Sequence, residues 1–515
     1  MDGIMTLGGP SLWAALLACI SGLLVLFWKL KGTSESSSQL PPGPNPIPVL
    51  GNLAPPKDYR TTFKRWADQY GDIMTMKLLG MPSIVLNSRR ATAEILEKRA
   101  ASTFGRPEMV MAQELVGLGQ DSGQTSNPKL HKEYRRLFSI AMSPRAVQAY
   151  APYQIQQFRQ VALDMLRAPV GYEGAITRAV STIAYRVAYG YDIKDEDDPM
   201  LARANKAMRI LEKVLTPGYF LVDVLPFLKY LPEWLPGAGF QRTAKAYKAH
   251  FAETREVPFR LVEQAIADGT AKPSFVGTLL EEHGAETGQY GKERIMWSAA
   301  SIHSAGSDTS AAAIHNFLTA MVLFPETQFT AQAELDSVLG KPGHGTSPPT
   351  LADRERLPYC CALVQEVLRW QPVAPFALLH TMAQEEAWEG WALPKGAIIL
   401  ANVWAMSRDE RDFPHPNIFD PTRYLPTASS SSKPTFGFGF GRRVCPGQHL
   451  AEATLGAAVL TLLWALRVEL PAGVNVEWRD EYGVNRPKWF PIEVKERFLG
   501  ATENLRGSLS ELENE

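Results

Sequence analysis

The sequence predicts a mainly α-helical body with small β-sheets, preceded by one N-terminal transmembrane helix. The stretch from Arg294 to Phe324 is apolar nearly all round, which is typical of a long helix buried inside a protein. A middle region, from about His131 to Leu280, is mostly helical in pattern and is broken by proline-rich segments. Residue runs typical of β-strands are short and few.

The N-terminal segment is the candidate membrane anchor. It reads SLWAALLACISGLLVLFW, from Ser11 to Trp28, carries no charge, and is followed by Lys29 and Lys31. About 18 apolar residues are just enough to cross a bilayer as a helix. A cleaved signal peptide is the less favoured alternative, because no clear cleavage site follows. Basic residues after the span predict a single-pass anchor in the endoplasmic reticulum membrane, with the catalytic body on the cytosolic face.

The chain divides into four predicted segments. Residues 1–31 form the anchor, 32–50 a polar and proline-rich hinge, 51–500 the catalytic domain and 501–515 a polar, frayed tail. Prolines forbid a helix in the hinge, so we expect a stiff spacer between the anchor and the body. The body contains neither a long linker nor a fixed-period repeat, which favours one compact unit.

Local patterns place the secondary structure within the body. Gly71–Ser88 has two β-like runs around a turn and predicts a hairpin. The pattern becomes helical over Arg90–Ala101, and a helix is predicted from about Lys292 to Leu323. Leu231–Gly239 is rich in proline and glycine and marks a break, whereas Leu393–Asp409 resembles a strand and turn.

Charge and cysteine content exclude several classes of protein. The formal net charge is -1, so nothing indicates a nucleic-acid partner. Four cysteines, Cys19, Cys360, Cys361 and Cys445, are too few for a disulfide scaffold and lack zinc-site spacing. Cys360 and Cys361 are interpreted as core residues in a reducing compartment.

One cysteine lies in an unusual loop, FGFGFGRRVCPGQHL, ahead of a predicted helix. Glycines permit close backbone approach, and a helix N-terminus and nearby arginines lower the pKa of a thiol. Cys445 is therefore a candidate metal-ligand thiolate or catalytic nucleophile. For a lone Cys-x-Gly, an ordinary glycine-rich turn with a buried cysteine would be the better interpretation.

The wider loop resembles the heme-binding loop of the cytochrome P-450 family. The resemblance is carried by five positions at fixed spacing: Phe438, Gly441, Arg443, Cys445 and Gly447. It implies that the Cys445 thiolate is the proximal ligand of heme b, that Phe438 packs near the sulfur, and that Arg443 pairs with a heme propionate. Arg442 lies outside the motif and is interpreted as a solvated charge rather than a redox-partner contact.

The long central helix contains AGSDTS, which resembles the family's oxygen-activating segment. The resemblance implies that Gly306 opens a groove in the helix and that Asp308 and Thr309 pass protons toward the heme. A locally satisfied polar pair is the alternative, which the apolar pattern of the rest of the helix disfavours.

Two further motifs follow the family's order. EVLR supplies Glu366 and Arg369 on one helix face, and FDPTRYLP supplies Arg423. Alone, Glu-x-x-Arg is usually a weak surface pair. The resemblance implies a buried network of the three residues, with a structural role.

The heme propionates need cationic or hydrogen-bonding partners. HKEYRRLFS resembles the family's Trp-x-x-x-Arg helix, with Arg135 as a propionate ligand, although His131 replaces the usual tryptophan. His380 falls where the family often has a propionate contact; a plain polar histidine is the alternative.

The substrate pocket is predicted from matching positions alone. The candidates are mostly apolar, which favours a hydrophobic substrate, although each could be an ordinary core residue: Ile302, Ala305, Val373, Phe376 and Val484.

The implied activity is that of a heme-thiolate monooxygenase. It would insert one atom of dioxygen into a hydrophobic small molecule, using electrons from NADPH through a partner reductase that carries FAD and FMN. The chain resembles fungal microsomal members that modify terpenoids and other secondary metabolites, and we expect a monomer. Two alternatives stay open: a heme-thiolate isomerase or dehydratase that does not use dioxygen, and a non-catalytic heme-thiolate binding protein. A cysteine hydrolase is disfavoured, because His449 lies on the wrong side of the helix after Cys445.

Overall fold

The computed structural model describes residues 39–46, 58–78, 81–283, 291–343, 345–426, 434–479 and 483–514, together with Gly22 and Asn52. The predicted anchor and most of the hinge lie outside these residues. Among the helices that the structure describes, none is both long and apolar enough to cross a bilayer.

Helices make up most of the body, as the sequence predicts. In chain order they are α1 Tyr59–Tyr70, α2 Arg89–Thr92, α3 Pro128–Met142, α4 Pro144–Gln148, α5 Ala151–Arg167, α6 Tyr172–Tyr189, α7 Pro199–Leu215, α8 Leu221–Val224, α9 Gly239–Ala267, α10 Phe275–His283, α11 Gly291–Leu323, α12 Pro325–Leu339, α13 Pro358–Trp370, α14 Val403–Met406, α15 Gln448–Ala465 and α16 Ala501–Asn514.

The strands form small sheets at the edge of the helical body. They are β1 Ile73–Leu78, β2 Met81–Leu86, β3 His380–Thr381, β4 Glu386–Trp388, β5 Trp391–Leu393, β6 Ile398–Ala401, β7 Leu466–Glu469 and β8 Glu493–Glu496. The largest sheet has the order β1-β2-β6-β3, and β4-β5 and β7-β8 form two-stranded sheets. β1 and β2 pair antiparallel, which confirms the predicted hairpin, whereas β2 and β6 pair parallel.

Helix α11 is the centre of the core. It is apolar on nearly every face, and its second half packs with α5, α6, α13 and α15 in one hydrophobic cluster. Its first half belongs to a second cluster, with α3, α7 and the segment around Met111. Because other helices pack against most of its length, α11 is fixed in position, and the side chains that it carries are held in defined places.

The residues just before helix α3 and in its first turn explain where the helix begins. The Asn127 side chain accepts hydrogen bonds from the backbone N–H groups of Lys129 and Leu130, at 3.0 and 3.3 Å, and Pro128 occupies the first turn. Asparagine and proline are favoured at these two positions. The cap fixes the start of the helix that carries His131 and Arg135.

Three local expectations need correction. The predicted helix over Arg90–Ala101 is α2 followed by a π-helical turn, Ala93–Glu97. The tail is not frayed in the described part: α16 continues to Asn514, and Leu505 is fully buried in the main core. The described hinge residues, 39–46, do not stand clear of the body, because Pro42 O accepts from Thr75 N at 2.9 Å.

Candidate active site

Cys445 lies between a short 3₁₀ turn, Gly441–Arg443, and the start of α15. Its backbone N–H donates to Phe438 O at 2.7 Å, which closes the loop. The Gly447 N–H, next to the first turn of α15, hydrogen-bonds the sulfur. The predicted arrangement of a helix N-terminus behind a thiol is therefore present, and Phe438 lies half-buried against the main core.

The pKa of Cys445 moves opposite to the direction predicted from the sequence. Burial raises it, and this effect exceeds the lowering by the Gly447 N–H and by the positive charge of Arg135. Desolvation disfavours a thiolate that has only dipoles and one cation as partners. A bound metal ion would supply the missing charge, because coordinated thiols are deprotonated.

Two loop glycines lie close to their neighbours, and of the two only Gly441 is required by space. Gly441 has φ +57, and a Cβ there would overlap the carbonyl oxygen of Leu96 in the π-helical turn. A Cβ on Gly447 would lie 3.8 Å from Cys445 Sγ and 3.5 Å from Met142 Sδ. It would fill the space beside the sulfur, so glycine leaves that side of the thiol open.

Three guanidinium groups lie at the cysteine loop, and one of them, that of Arg443, belongs to it. Arg443 donates to Phe104 O and Ser122 O, both at 3.1 Å, and its guanidinium carbon lies 3.9 Å from the centre of the Phe104 ring. Arg135 donates to Val444 O at 2.7 Å. Burial lowers the pKa of Arg443 to about 10 and also lowers that of Arg135.

Arg106 is the third cation and was not singled out from the sequence. It donates to Gly123 O at 2.9 Å and to Leu379 O at 2.6 Å. Burial, together with the positive charge of Arg443, lowers its pKa to about 9. An arginine before a proline gives no distinctive sequence signal, and only the fold reveals its burial beside Arg443.

The two predicted histidines lie at the same place. His131 packs edge-on against Phe104, with ring centroids 5.0 Å apart, and His380 Nδ1 lies 2.8 Å from Thr103 O. Burial, with the positive charges of Arg443 and Arg106, lowers the pKa of each histidine to about 3. Both rings are neutral at physiological pH, so each has one N–H to donate.

The charges at this cluster fit a dianionic group. Among the described residues, the carboxylate acting on Arg106 and Arg443 is that of Asp121. Asp121 itself accepts from Ser301 Oγ and from Gly123 N, both at 2.8 Å. Three guanidinium groups face this one carboxylate, whose pKa burial raises, so the cluster keeps at least two uncompensated positive charges for the two propionates of heme b. A buried charge needs a partner, so the residues present fit this cofactor.

The central part of α11 is open on one side. Ala305 and Thr309, one turn apart, are exposed, although most residues of the helix around them are buried. Thr309 Oγ1 donates to Ala305 O at 2.6 Å. An exposed face within a largely buried helix indicates a cavity. The hydroxyl of Thr309 is a polar group that faces this opening.

Gly306 does not have the predicted role. The helix is regular from Gly291 to Leu323, and a Cβ on Gly306 would meet the Cβ of Ala184 in α6 at 3.8 Å. The glycine therefore faces the neighbouring helix α6, with room for ordinary contact there, and α11 is not interrupted at this position.

Asp308 is held in an ion pair. Its Oδ1 accepts from Arg486 Nη1 at 2.7 Å, and each side chain is 22% exposed. Arg486 was not predicted. It lies two residues after the pocket candidate Val484, which is the one signal that could have drawn attention to it.

The predicted network of Glu366, Arg369 and Arg423 is brought together. Arg369 binds both oxygens of Glu366, at 2.6 and 2.7 Å, and Arg423 Nε lies 3.5 Å from Glu366 Oε1. Both Glu366 and Arg369 side chains are fully buried. The Asp420 N–H also donates to Glu366 at 2.9 Å, which ties α13 to the segment ahead of the cysteine loop.

The predicted pocket residues divide between cavity and core. Ala305 faces the opening, and Val373 and Val484 are half-buried and linked through Asn485, whose N–H donates to Val373 O at 2.8 Å. Ile302 is buried in the second hydrophobic cluster. Phe376 is misassigned: it packs in a separate cluster, with its ring 4.7 Å from that of Phe63.

A thiol in a glycine-rich loop, a cationic cluster matched to two carboxylates, and a long helix with a polar opening define a heme-thiolate protein. The family model for cytochrome P-450 matches residues 41–491. The chain belongs to the cytochrome P-450 family and is a cytochrome P-450 monooxygenase.

Curated relatives support this assignment over nearly the whole chain. Cytochrome P-450 monooxygenase 105 of Postia placenta is 35% identical, covering 93% of this chain and 92% of the relative. Cytochrome P-450 monooxygenase ple1 of Rhodocybe pseudopiperita is 33% identical, with 95% of each chain covered. Tryptamine 4-monooxygenase of Psilocybe cyanescens is 34% identical, covering 92% of this chain and 95% of the relative.

Proposed function

We propose that this monooxygenase inserts one oxygen atom from dioxygen into a hydrophobic small molecule of secondary metabolism, such as a terpenoid, with electrons from NADPH supplied by a flavin-containing reductase. The observation that carries the proposal is the pairing of Cys445 and its cationic cluster with the open, threonine-bearing face of α11. Binding alone would not need a hydroxyl and a carboxylate side by side where α11 is open.

Each part of the site has a distinct task. When bound, heme b supplies the iron chemistry that activates dioxygen. Cys445 would ligate it from the side of α15, while Arg106, Arg135 and Arg443 would hold its propionates. The Thr309 hydroxyl donates its proton to Ala305 O, so the lone pairs of Oγ1 can accept a proton from water. After a rotation about χ1, the hydroxyl can pass its own proton on.

The substrate class follows from the open face of α11 and its neighbours. Ala305, Val373 and Val484 are apolar and exposed or half-buried. The polar side chains near these positions include Ser304, Thr309 and the Asp308–Arg486 pair. A pocket of this kind selects by apolar contact and shape rather than by charge. Tryptamine 4-monooxygenase, among the relatives, acts on an aromatic amine by its name, so aromatic amines belong in the substrate panel.

We also place the protein on the endoplasmic reticulum membrane, with a single N-terminal span. The described body supports membrane contact, because the segment between α7 and α9 exposes a run of large apolar side chains: Tyr219, Leu221, Phe227, Tyr230 and Trp234. Aromatic side chains favour the membrane interface. Microsomal fractionation of the full chain and of a variant lacking residues 1–31 tests the anchor; equal release of both by salt would contradict it.

The reductase is expected to dock where the sulfur is nearest to the surface. Lys132 and Arg136 on α3 and Arg442 in the cysteine loop are exposed, and in sequence they adjoin the half-buried Arg135 and Arg443. The sequence alone favours a solvated charge for Arg442, and we propose a partner contact instead because two further exposed cations lie on α3. An exposed cationic surface attracts an acidic partner and makes association depend on salt. Charge reversal at the three positions should raise the reductase concentration needed for half-maximal turnover without changing the heme spectrum.

The decisive experiment is expression with a reductase in a host fed terpenoids, apolar aromatics and aromatic amines. Products that gain one oxygen from labelled dioxygen support the proposal. Product formed without NADPH and dioxygen would instead favour the isomerase or dehydratase. A heme-loaded protein that consumes no NADPH with any ligand of the panel would favour the non-catalytic binding protein.

A further inference from the structure

The guanidinium groups of Arg106 and Arg443 bind carbonyl oxygens of one short turn, residues 121–125. Arg106 Nε donates to Gly123 O at 2.9 Å, and Arg443 Nη1 donates to Ser122 O at 3.1 Å. A guanidinium is planar, and its donors point in fixed directions. The positions of these carbonyl oxygens therefore help to decide where the remaining N–H groups of both arginines point.

Asp121 closes this turn. Its Oδ1 accepts from the backbone N–H of Gly123 at 2.8 Å. Its own carbonyl oxygen accepts from the N–H groups of Gln124, at 3.1 Å, and Thr125, at 2.9 Å. An aspartate that accepts from the backbone two residues ahead stabilises a turn locally. The side chain of Asp121 thus fixes the backbone whose carbonyl oxygens bind the two arginines.

The turn is fastened to the central helix α11 through Ser301. Ser301 Oγ lies 2.8 Å from Asp121 Oδ2, and Ser122 Oγ donates to Ser301 Oγ at 3.1 Å. Trp297 O lies 2.9 Å from the same Ser301 hydroxyl and competes for its one proton. Because α11 is fixed by the helices packed around it, these contacts give the turn a defined position.

The turn is also joined at both ends to helix α3. Before the turn, the hydroxyl of Tyr134 in α3 donates to Gln120 O at 2.7 Å. At its end, Thr125 Oγ1 accepts at 3.2 Å from the N–H of Asn127, the residue that caps α3. Helix α3 carries Arg135, so all three guanidinium groups of the cationic cluster are linked to this turn.

The partners of Asp121 indicate a positioning role rather than that of a counter-ion. Among the described residues, no ion pair joins its carboxylate to Arg106 or Arg443; its partners are backbone N–H groups and Ser301. Burial raises the pKa of Asp121 more than these hydrogen bonds lower it. A carboxyl group that is kept here despite its burial, without direct contact to either arginine, serves the turn.

We propose that Asp121 is a positioning residue for the cofactor: it closes the 121–125 turn, fastens it to α11 and so aims Arg106 and Arg443 at the heme propionates. The inference rests on the heme site of the proposed function. Because the protein itself holds both arginines in place, less conformational freedom is lost when the propionates bind. Heme retention then depends on a residue that acts through the propionate ligands.

Heme loss tests the proposal with a readout other than activity. The rate of heme transfer from the ferric protein to excess apomyoglobin is compared for wild type, Asp121→Ala and Asp121→Asn. Asp121→Ala should lose heme about tenfold faster, as is typical when a residue that orients a ligand is removed. Asp121→Asn keeps a side-chain oxygen for the Gly123 N–H and should restore most of the retention.

The opposite sign is expected if the carboxylate of Asp121 acts only through its charge. Removing a negative group near the propionates would then strengthen their attraction to the arginines and slow heme loss. A rate of heme loss in Asp121→Ala that is equal to the wild-type rate, or slower, would therefore overturn the proposal.

Asp198→Ala is the matched control for a general loss of stability. Asp198 also accepts from a backbone N–H two residues ahead, that of Met200 at 2.8 Å, and from a hydroxyl, that of Tyr191 at 2.9 Å, but it lies at the start of α7. With thermal midpoints measured for both variants, the rate of heme loss should rise only in Asp121→Ala. An equal rise in both variants would overturn the proposal.

A double-mutant cycle tests whether Asp121 acts through Arg443. In the background of Arg443→Gln, the further change Asp121→Ala should raise the rate of heme loss by a smaller factor than in wild type, because one of the groups that Asp121 positions is already gone. Equal factors in the two backgrounds would count against the proposal and overturn it.

Hydrogen exchange separates this proposal from the proposed function. The amides of residues 122–125 should exchange faster in Asp121→Ala than in wild type, because the turn has lost its closing hydrogen bond. Unchanged exchange would overturn the proposal. A wild-type protein that binds no heme would contradict the proposed function and the role of Asp121 toward heme, while the exchange rates would still report whether Asp121 closes the turn.

Discussion

Gly441 lies directly against the carbonyl oxygen of Leu96, so close that a Cβ on the glycine would overlap it. The contact joins the cysteine loop to the π-helical turn Ala93–Glu97, which directs that carbonyl toward the loop. Glycine avoids the overlap because it has no Cβ, and it adopts the left-handed backbone conformation at φ +57 without strain. The contact therefore fixes where Cys445 is held.

Gly441→Ala should destabilise the protein and weaken heme retention. The left-handed conformation costs an alanine about 1–2 kcal/mol, and the overlap with Leu96 O adds strain. Urea unfolding and the heme-to-protein absorbance ratio measure both effects. Gly473→Ala is the matched control, because Gly473 has φ +79 and nothing within 4 Å of its added Cβ. Equal losses in the two variants would contradict the role of the Leu96 contact.

Removing one partner of the Glu366–Arg369 pair should cost more than removing both. Arg369→Met leaves a buried carboxylate beside Asp420 N and Arg423, at a cost on the order of 3–5 kcal/mol. The double variant Glu366→Leu with Arg369→Met leaves no unpaired charge and should lose less. Denaturant midpoints report the difference. For comparison, Lys488→Gln breaks an exposed pair and should change stability by less than about 1 kcal/mol.

Two buried histidines of α11 should make folding stability depend on pH. Burial lowers the pKa of His303 to about 4 and, together with Arg486 and Arg479, that of His315 to about 3, from an ordinary value of 6.5. Between pH 6.5 and these values the unfolded chain binds protons that the folded protein does not. Stability therefore falls as the pH is lowered through this window, by up to about 1.4 kcal/mol per pH unit for each histidine.

His315→Gln should reduce that slope by the contribution of one proton. The measurement is the free energy of unfolding by denaturant at a series of pH values from 6.5 downward. Replacing the exposed His449 by glutamine controls for the loss of a histidine without burial. If His315→Gln kept the wild-type slope, the buried ring could not be neutral in the folded state.

Thr309→Ala should uncouple electron use from product formation. The variant lacks the hydroxyl at the open face of α11, so we expect NADPH consumption to continue while the product formed per NADPH falls several-fold, as for loss of a proton-transfer group. Thr319→Ala is the control, because Thr319 makes the same bond to the carbonyl four residues earlier, His315 O at 2.8 Å, but is fully buried. Similar coupling in both variants would contradict a role for Thr309.

The sequence predicts most strongly the features that depend on local pattern. The β1–β2 hairpin has a clear turn between β-like runs, and α11 is too apolar and too long to be anything but a central helix. The cysteine loop was recognisable because glycine and arginine recur at fixed spacing around Cys445.

Features that depend on contacts between distant segments were missed. Arg486 reaches Asp308 across 178 positions, and Arg106 becomes part of the cationic cluster only through burial beside Arg443. Phe376 was assigned to the pocket from its position, but its side chain turns toward Phe63 and α1. The sequence of α16 predicts a frayed tail because its polar residues outnumber Leu505 and the other side chains that pack on the core.

The central claim is that Cys445 holds a heme iron through its thiolate. The most direct test is the absorbance of the reduced, carbon monoxide-bound protein, for wild type, Cys445→Ser and the control Cys361→Ser. The account predicts the red-shifted Soret band of a thiolate-ligated heme in wild type and in the control, and its loss in Cys445→Ser. An unchanged thiolate band in Cys445→Ser, or no Soret band in the heme-supplemented wild type, would contradict it.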